Sequence, residues 1–128
     1  MKFGLDVPTT GAYADARVQA QLALEAEAAG WDGFFIWDTL LGAEAIIDPW
    51  IALTAIALHT SHIKIGLLAL PLPRHEPRAV AGQLANLDQL STSFIAVVPL
   101  ATKNLVHLRT RFFVALLKPE KLLELLTC

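Results

Sequence analysis

Asp38 ends the apolar run Phe34-Phe35-Ile36-Trp37, which follows a turn containing Gly30, Asp32 and Gly33. A buried strand that delivers one carboxylate at its carboxyl end is how α/β proteins set a polar group over a binding crevice. A carboxylate there can accept a hydrogen bond or take part in proton transfer. An aspartate at this point equally suits a cap on the turn Thr39-Leu40-Leu41-Gly42. Three further groupings carry chemistry. Arg74, His75 and Arg78 surround a helix start, where an anion can bind or the charges can simply be solvated. His59 and His62 stand three apart, a spacing that suits a metal only with further ligands, and no cysteine or acid cluster accompanies them. Trp31, Trp37 and Trp50 are large enough to wall a flat ring or to fill a core. The chain has no Gly-x-Gly-x-x-Gly and no P-loop motif.

The elements that must position these residues follow from pattern. Lys2 to Val7 predicts a first strand, ended by Pro8 and the turn Thr9-Thr10-Gly11. Residues 14–29 predict a helix on the spacing of Val18, Leu22, Ala26 and Ala29, with Gly30 suited to the left-handed position that ends it. Asp6 and Asp15 read as loop or early-turn acids. Residues 34–37 form strand two, and 40–47 a loop. Asp48-Pro49 is a helix start, since Asp caps well and Pro fits the first helical position. That helix reaches His59, with Ile51, Ala55 and Leu58 on one face. Residues 63–70 form strand three, Pro71 to Glu76 a stiff loop, and Pro77 to about Leu90 a helix carrying Val80, Leu84 and Leu87 inward. Phe94 to Val98 is strand four. Strands thus begin near 3, 34, 63 and 94, a period of about 30 residues. Strands alternating with helices at that period predict parallel β/α units with right-handed crossovers. A five-strand doubly wound domain of flavodoxin-like order is the competing topology. The segment after Asn104 breaks the period: 112–117 reads as strand or helix, and Pro119 can open a helix with Leu122, Leu123, Leu125 and Leu126.

With 128 residues the chain can hold one domain with a real core. Apolar residues make up 55% and charged residues 17%, which points to strands buried on both faces or to an unpaired apolar surface. The net charge of −2 gives no nucleic-acid signal. Residues 1–60 carry eight acids and two bases, and residues 61–128 eight bases and four acids. Cys128 is the sole cysteine, so no internal disulfide forms, and no apolar run is long enough to span a membrane. With no signal-peptide core at the start, the expectation is a cytoplasmic protein.

Taken together, AEAAGWDGFFIWD at 26–38, DPWIALTAIALHT at 48–60, IKIGLLALPLPRHEP at 63–77 and LANLDQLS at 84–91 resemble the N-terminal part of luciferase-like flavin-dependent monooxygenases, the family of bacterial luciferase and its deazaflavin-using relatives. The resemblance covers residues 1–91. It implies an α/β fold of parallel β/α units from a (β/α)8 TIM-type barrel, truncated to about the first half, with reduced FMN or a deazaflavin at the carboxyl ends of the strands and a small-molecule substrate. It places Asp38 in the active-site loop after strand two as the catalytic candidate. Many members carry His at the next position; here it is Thr39, which does not titrate near neutral pH. Leu67, Leu68 and Ala69 align with the flavin-contacting strand end, and a non-proline cis peptide of some members falls at Leu68-Ala69. Beyond Ser91 the family's glycine-rich strand end is missing, so 92–128 reads as a fourth strand followed by a divergent tail, truncated or frameshifted. The alternative is a non-catalytic interaction module, a homo-oligomer that associates through its open sheet edge, with neither nucleic acid nor membrane as partner.

Overall fold

In a computed structural model, which describes residues 2–39, 42, 44–93 and 95–99, the chain alternates strand and helix. The elements are β1 (Gly4–Val7), α1 (Ala16–Ala28), β2 (Gly33–Ile36), α2 (Pro49–His59), β3 (Lys64–Leu70), α3 (Pro77–Leu90) and β4 (Ile95–Pro99). Short 3₁₀ turns occupy Gly11–Tyr13 and Leu72–Arg74. The expected elements at 112–117 and from Pro119 onward lie outside the described residues.

The four strands form one parallel sheet in the order β1-β2-β3-β4. That order removes the flavodoxin-like alternative, in which β1 would lie inside the sheet. Right-handed crossovers that always step the same way put every helix on the same face, and α1 packs on α2 and α2 on α3. The core lies between: Phe34 and Ile36 from β2, Ile65, Leu67 and Leu70 from β3, Val97 from β4, met by Ala23 and Ala26, by Ala52, Leu53 and Ile56, and by Val80 and Leu87. The opposite face carries the alternate residues. One row across it reads Asp6, Phe35, Gly66, Ala96. Asp6 is therefore a strand residue on the sheet, as the Lys2 to Val7 strand predicts, and not a loop or early-turn acid.

Local chemistry explains the boundaries. Asp15 caps α1 by accepting from Arg17 N–H. Asp48 caps α2 by accepting from the N–H groups of Trp50 and Ile51, with Pro49 next. Glu76 caps α3 through Ala79 N–H, at 2.7 Å. Gly30 ends α1 with φ of 84°, a conformation that costs a side-chain-bearing residue about 1–2 kcal/mol. Helix α2 is apolar all round, so periodicity does not say which side is inside. Its Ile51 and Leu58 are 60% and 63% exposed, while Ala52, Leu53, Ile56 and Ala57 are buried. In α1 it is Gln19, Ala20, Ala23 and Ala26 that are buried, and Val18 faces out.

At the amino ends of the strands, Glu27 of α1 reaches across to the loop before β3. Its carboxylate accepts from the backbone N–H groups of Ser61, His62 and Ile63, the shortest at 2.6 and 2.7 Å. Burial by itself would push this carboxyl up. The N–H groups of Ile63, His62 and Ser61, with a smaller contribution from the His62 charge, outweigh it and hold Glu27 below its ordinary 4.5. Asp32 does a related job for the first strand, pairing with Lys2 Nζ and accepting from Phe3 N–H, which together hold it low as well.

Candidate functional site

The carboxyl edge of the sheet is where the chemistry-bearing side chains meet. Residue 37 continues β2 by donating its N–H to Val7 O, and Asp38 follows. Asp38 therefore lies on the edge shared with Leu70 of β3 and Val98 of β4, as parallel crossovers require. The turn Leu72–Arg74 after β3 then folds back over it. Asp38 Oδ2 lies 2.6 Å from His75 Nε2 and 3.5 Å from Arg74 Nη2. The same Arg74 Nη2 donates to the main-chain carbonyl of Asp38 at 2.8 Å. The Asp38 side chain is 5% exposed, the His75 ring 22% and Arg74 38%. A carboxylate at that burial needs compensation, and two cationic or donor groups supply it.

The neighbouring loops are tied down too. Thr9 is fully buried and its hydroxyl donates to Trp37 O. Thr10 forms an antiparallel bridge with Ile46, flanked by Gly11 N–H to Ala45 O and Ile47 N–H to Thr9 O. The loops after β1 and β2 are thereby zipped together. Gln19 donates to the carbonyls of Pro8 and Tyr13, holding the start of α1 against the same loop.

At the end of β3 the peptide between Leu68 and Ala69 is cis, at the position the resemblance implies. The β3–β4 ladder breaks there: Leu68 pairs with Val98, and the next pair is Leu70 with Pro99. Ala69 is passed over in that register, and the strand is irregular at this point. Leu68 and Ala69 are half-buried, whereas Leu67 is fully buried in the helix-side core and offers a ligand its backbone alone.

Other candidates separate by position. Of the three tryptophans, Trp37 stands at this edge, 44% exposed; Trp50, in the first turn of α2, packs against the core, and Trp31 lies at the opposite end of the sheet, before β2. Arg78 is exposed on α3 and the first turn of that helix is already capped by Glu76, so Arg74, His75 and Arg78 do not gather into an anion site. His59 Nδ1 donates to Ala55 O at 2.7 Å, a helix-end bond. Among the described residues no group of three or more metal-ligating side chains comes together. Nor is any described helix long and apolar enough to cross a membrane. Sequence reasoning does not reach the approach of Arg74 and His75 to Asp38. The signal for it is topological: loops after neighbouring parallel strands leave the sheet side by side.

Comparison with known proteins accords with this geometry. No curated protein matches the chain. Eleven chains of solved structures do. One is the oxygenating constituent of 3,6-diketocamphane monooxygenase from the CAM plasmid of Pseudomonas putida, a type II Baeyer-Villiger monooxygenase in complex with FMN. Its TM-score is 0.63 at 24% identity, over 80% of this chain and 30% of that one. The likeness is one of fold, and this chain spans under a third of that enzyme's length. The family model for luciferase-like monooxygenases matches residues 1–92, most of the chain and all of its first three β/α units. With the parallel sheet, the clustered carboxyl edge and that match in hand, the chain belongs to the luciferase-like monooxygenase family.

Proposed function

We propose that this chain forms part of the flavin site of a flavin-dependent monooxygenase, with the ring of FMN or a deazaflavin lying over the carboxyl edge of the sheet and a small organic substrate beside it. The observation that carries the reading is the convergence at that edge of Asp38, Arg74 and His75 with the out-of-register Leu68-Ala69 segment. The residues present fit the ring system. Half-buried Leu68 and Ala69 and the exposed face of Trp37 offer apolar surface, and the backbone at 67–69 can approach a flat ligand closely. The fit does not extend to the phosphate: among the described residues there is no glycine-rich loop, and Arg74 is committed to Asp38.

When bound, a reduced flavin supplies the electrons and the reaction with dioxygen. The chain's residues bind and orient. Leu67, Leu68 and Ala69 hold the ring, Asp38 supplies the buried negative charge, and the zipped 9–11 and 45–47 segments wall one side against water. Titrating the full chain with FMN, and separately with the deazaflavin, tests the cofactor claim. The expected result is a saturable change in flavin absorbance together with quenching of tryptophan fluorescence. Unchanged spectra with both flavins would remove it.

A second reading, self-association, is favoured by one observation: Ile51 and Leu58 stand exposed one above the other on α2. Sedimentation equilibrium is expected to show a dimer or larger species whose population falls in Ile51→Glu with Leu58→Glu. A monomer at all concentrations removes this reading and leaves the flavin reading intact.

A further inference from the structure

The carboxylate at the end of β2 is not itself free to meet a ligand. Its side chain is 5% exposed, and Oδ2 is engaged by His75 Nε2 at 2.6 Å. A carboxylate only accepts, so it is Nε2 that carries the hydrogen in this contact. With Nε2–H fixed, Nδ1 is the ring nitrogen whose proton can come and go. The ring is 22% exposed, and among the described residues nothing hydrogen-bonds to Nδ1. The charged groups around the ring are Asp38 from the end of β2 and, on its own loop, Arg74 and Glu76. Arg74 is turned onto the Asp38 main chain, and Glu76 is turned onto Ala79 N–H of α3.

We propose that His75, through Nδ1, is the group that takes and returns a proton at this edge, and that Asp38 is its positioning residue. The inference rests on the flavin-site reading above for what lies over the ring. In the step, the Nδ1 lone pair forms an N–H bond with the proton of a bound hydroxyl. The O–H bond breaks, and its electron pair stays on oxygen. The imidazolium so formed is compensated by the Asp38 carboxylate, and the reverse transfer restores the neutral ring. No electrons change owner. Asp38 acts here as the carboxylate of a carboxylate–histidine pair acts generally: it selects the tautomer, orients the plane and stabilises the charged form. Arg74, by holding the Asp38 carbonyl, keeps the two loops at the distance the pair requires.

Long-range ¹H–¹⁵N spectra of the ¹⁵N-histidine-labelled full chain test this directly, with the His75 signals assigned by their loss in His75→Gln. In the wild type, Nε2 is expected to stay protonated across the titration while Nδ1 alone changes. In Asp38→Asn the preference for the Nε2–H tautomer is expected to be lost. Should that variant not fold, the wild-type tautomer decides alone. On adding FMN, or the deazaflavin, the Nδ1 signal is expected to shift while the Nε2 signal holds. A wild-type ring whose Nε2 loses its proton overturns the proposal. A flavin that binds without moving Nδ1 overturns it while leaving the flavin site standing. Absence of binding by either flavin overturns both.

Discussion

Replacing Gly66 by alanine is expected to cost about 3 kcal/mol or more of folding stability, at the upper end of what an inserted methyl group usually does. Gly66 lies in the middle of β3, opposite Ala96 of β4. A Cβ added to it would run into the carbonyl oxygen of Ala96, with the Ala96 carbonyl carbon at 2.7 Å and its Cα at 3.2 Å. The obstacle is main chain rather than a flexible side-chain tip, so relief requires the two strands to part, and parting them breaks the pairing that carries β4. The same substitution at Gly82 supplies the control. Gly82 lies inside α3, where an added Cβ would meet nothing within 4 Å and φ is not positive. There alanine is expected to stabilise by about 0.5–1 kcal/mol, because it narrows the unfolded ensemble and favours the helix. Urea unfolding followed by circular dichroism checks both. If Gly66→Ala unfolds at the wild-type midpoint, the close β3–β4 approach is wrong.

The second large effect is expected at Glu27. Removing its side chain as Glu27→Ala withdraws the acceptor of three backbone N–H groups, two of them at 2.6 and 2.7 Å. Charge-assisted bonds of this kind are strong, but the loop is near water, so the loss is expected to be about 2–3 kcal/mol. Glu27→Gln, which keeps one acceptor oxygen and loses the charge, is expected to lose about half as much. The pH dependence has a definite sign. The folded carboxyl is held below its ordinary 4.5, because the three N–H groups outweigh the upward push of burial. Its stabilisation is therefore complete at neutral pH. It declines once the pH drops below about 4.5 and is gone when the folded group is itself protonated. Wild type and Glu27→Gln are expected to differ at pH 7 and to converge in acid. Parallel stability curves over that range would mean that the carboxylate does not carry the clamp.

Much of this molecule is legible in its residues because the informative signals are local or periodic. The interval of about 30 residues between strands predicts the parallel units, and the observed strands begin at Gly4, Gly33, Lys64 and Ile95. Asp48-Pro49 and Gly30 mark helix ends because capping and positive φ are matters of a few adjacent residues. The handedness of crossovers puts Asp38 on the correct edge, and family resemblance locates the cis peptide. What escapes is non-local. The Asp38–His75 contact joins residues 37 apart, and nothing within either loop signals it. The exposed pair Ile51 and Leu58 escapes for a different reason. A helix apolar on every side has no period to read, so only the packing of α1 and α3 against it decides which side is covered. The Glu27 clamp escapes because its three partners lie 34 to 36 residues downstream.

Because each strand lies beside the strand that follows it in the chain, spatial order and order of synthesis coincide. β2 is the first edge β3 can join, and β3 the first edge for β4. Each addition closes a loop of similar length, roughly 30 residues, at a similar entropic cost of about 3 kcal/mol. Among the described residues, no pairing has to wait for a segment made much later, and no strand must be inserted between two already joined. On the ribosome, where chains emerge amino end first, such a sheet can grow as a row, each emerging unit meeting a finished template. The Asp38–His75 contact is made late in that row, since it forms only once β3 has seated and its following turn has left the exit tunnel.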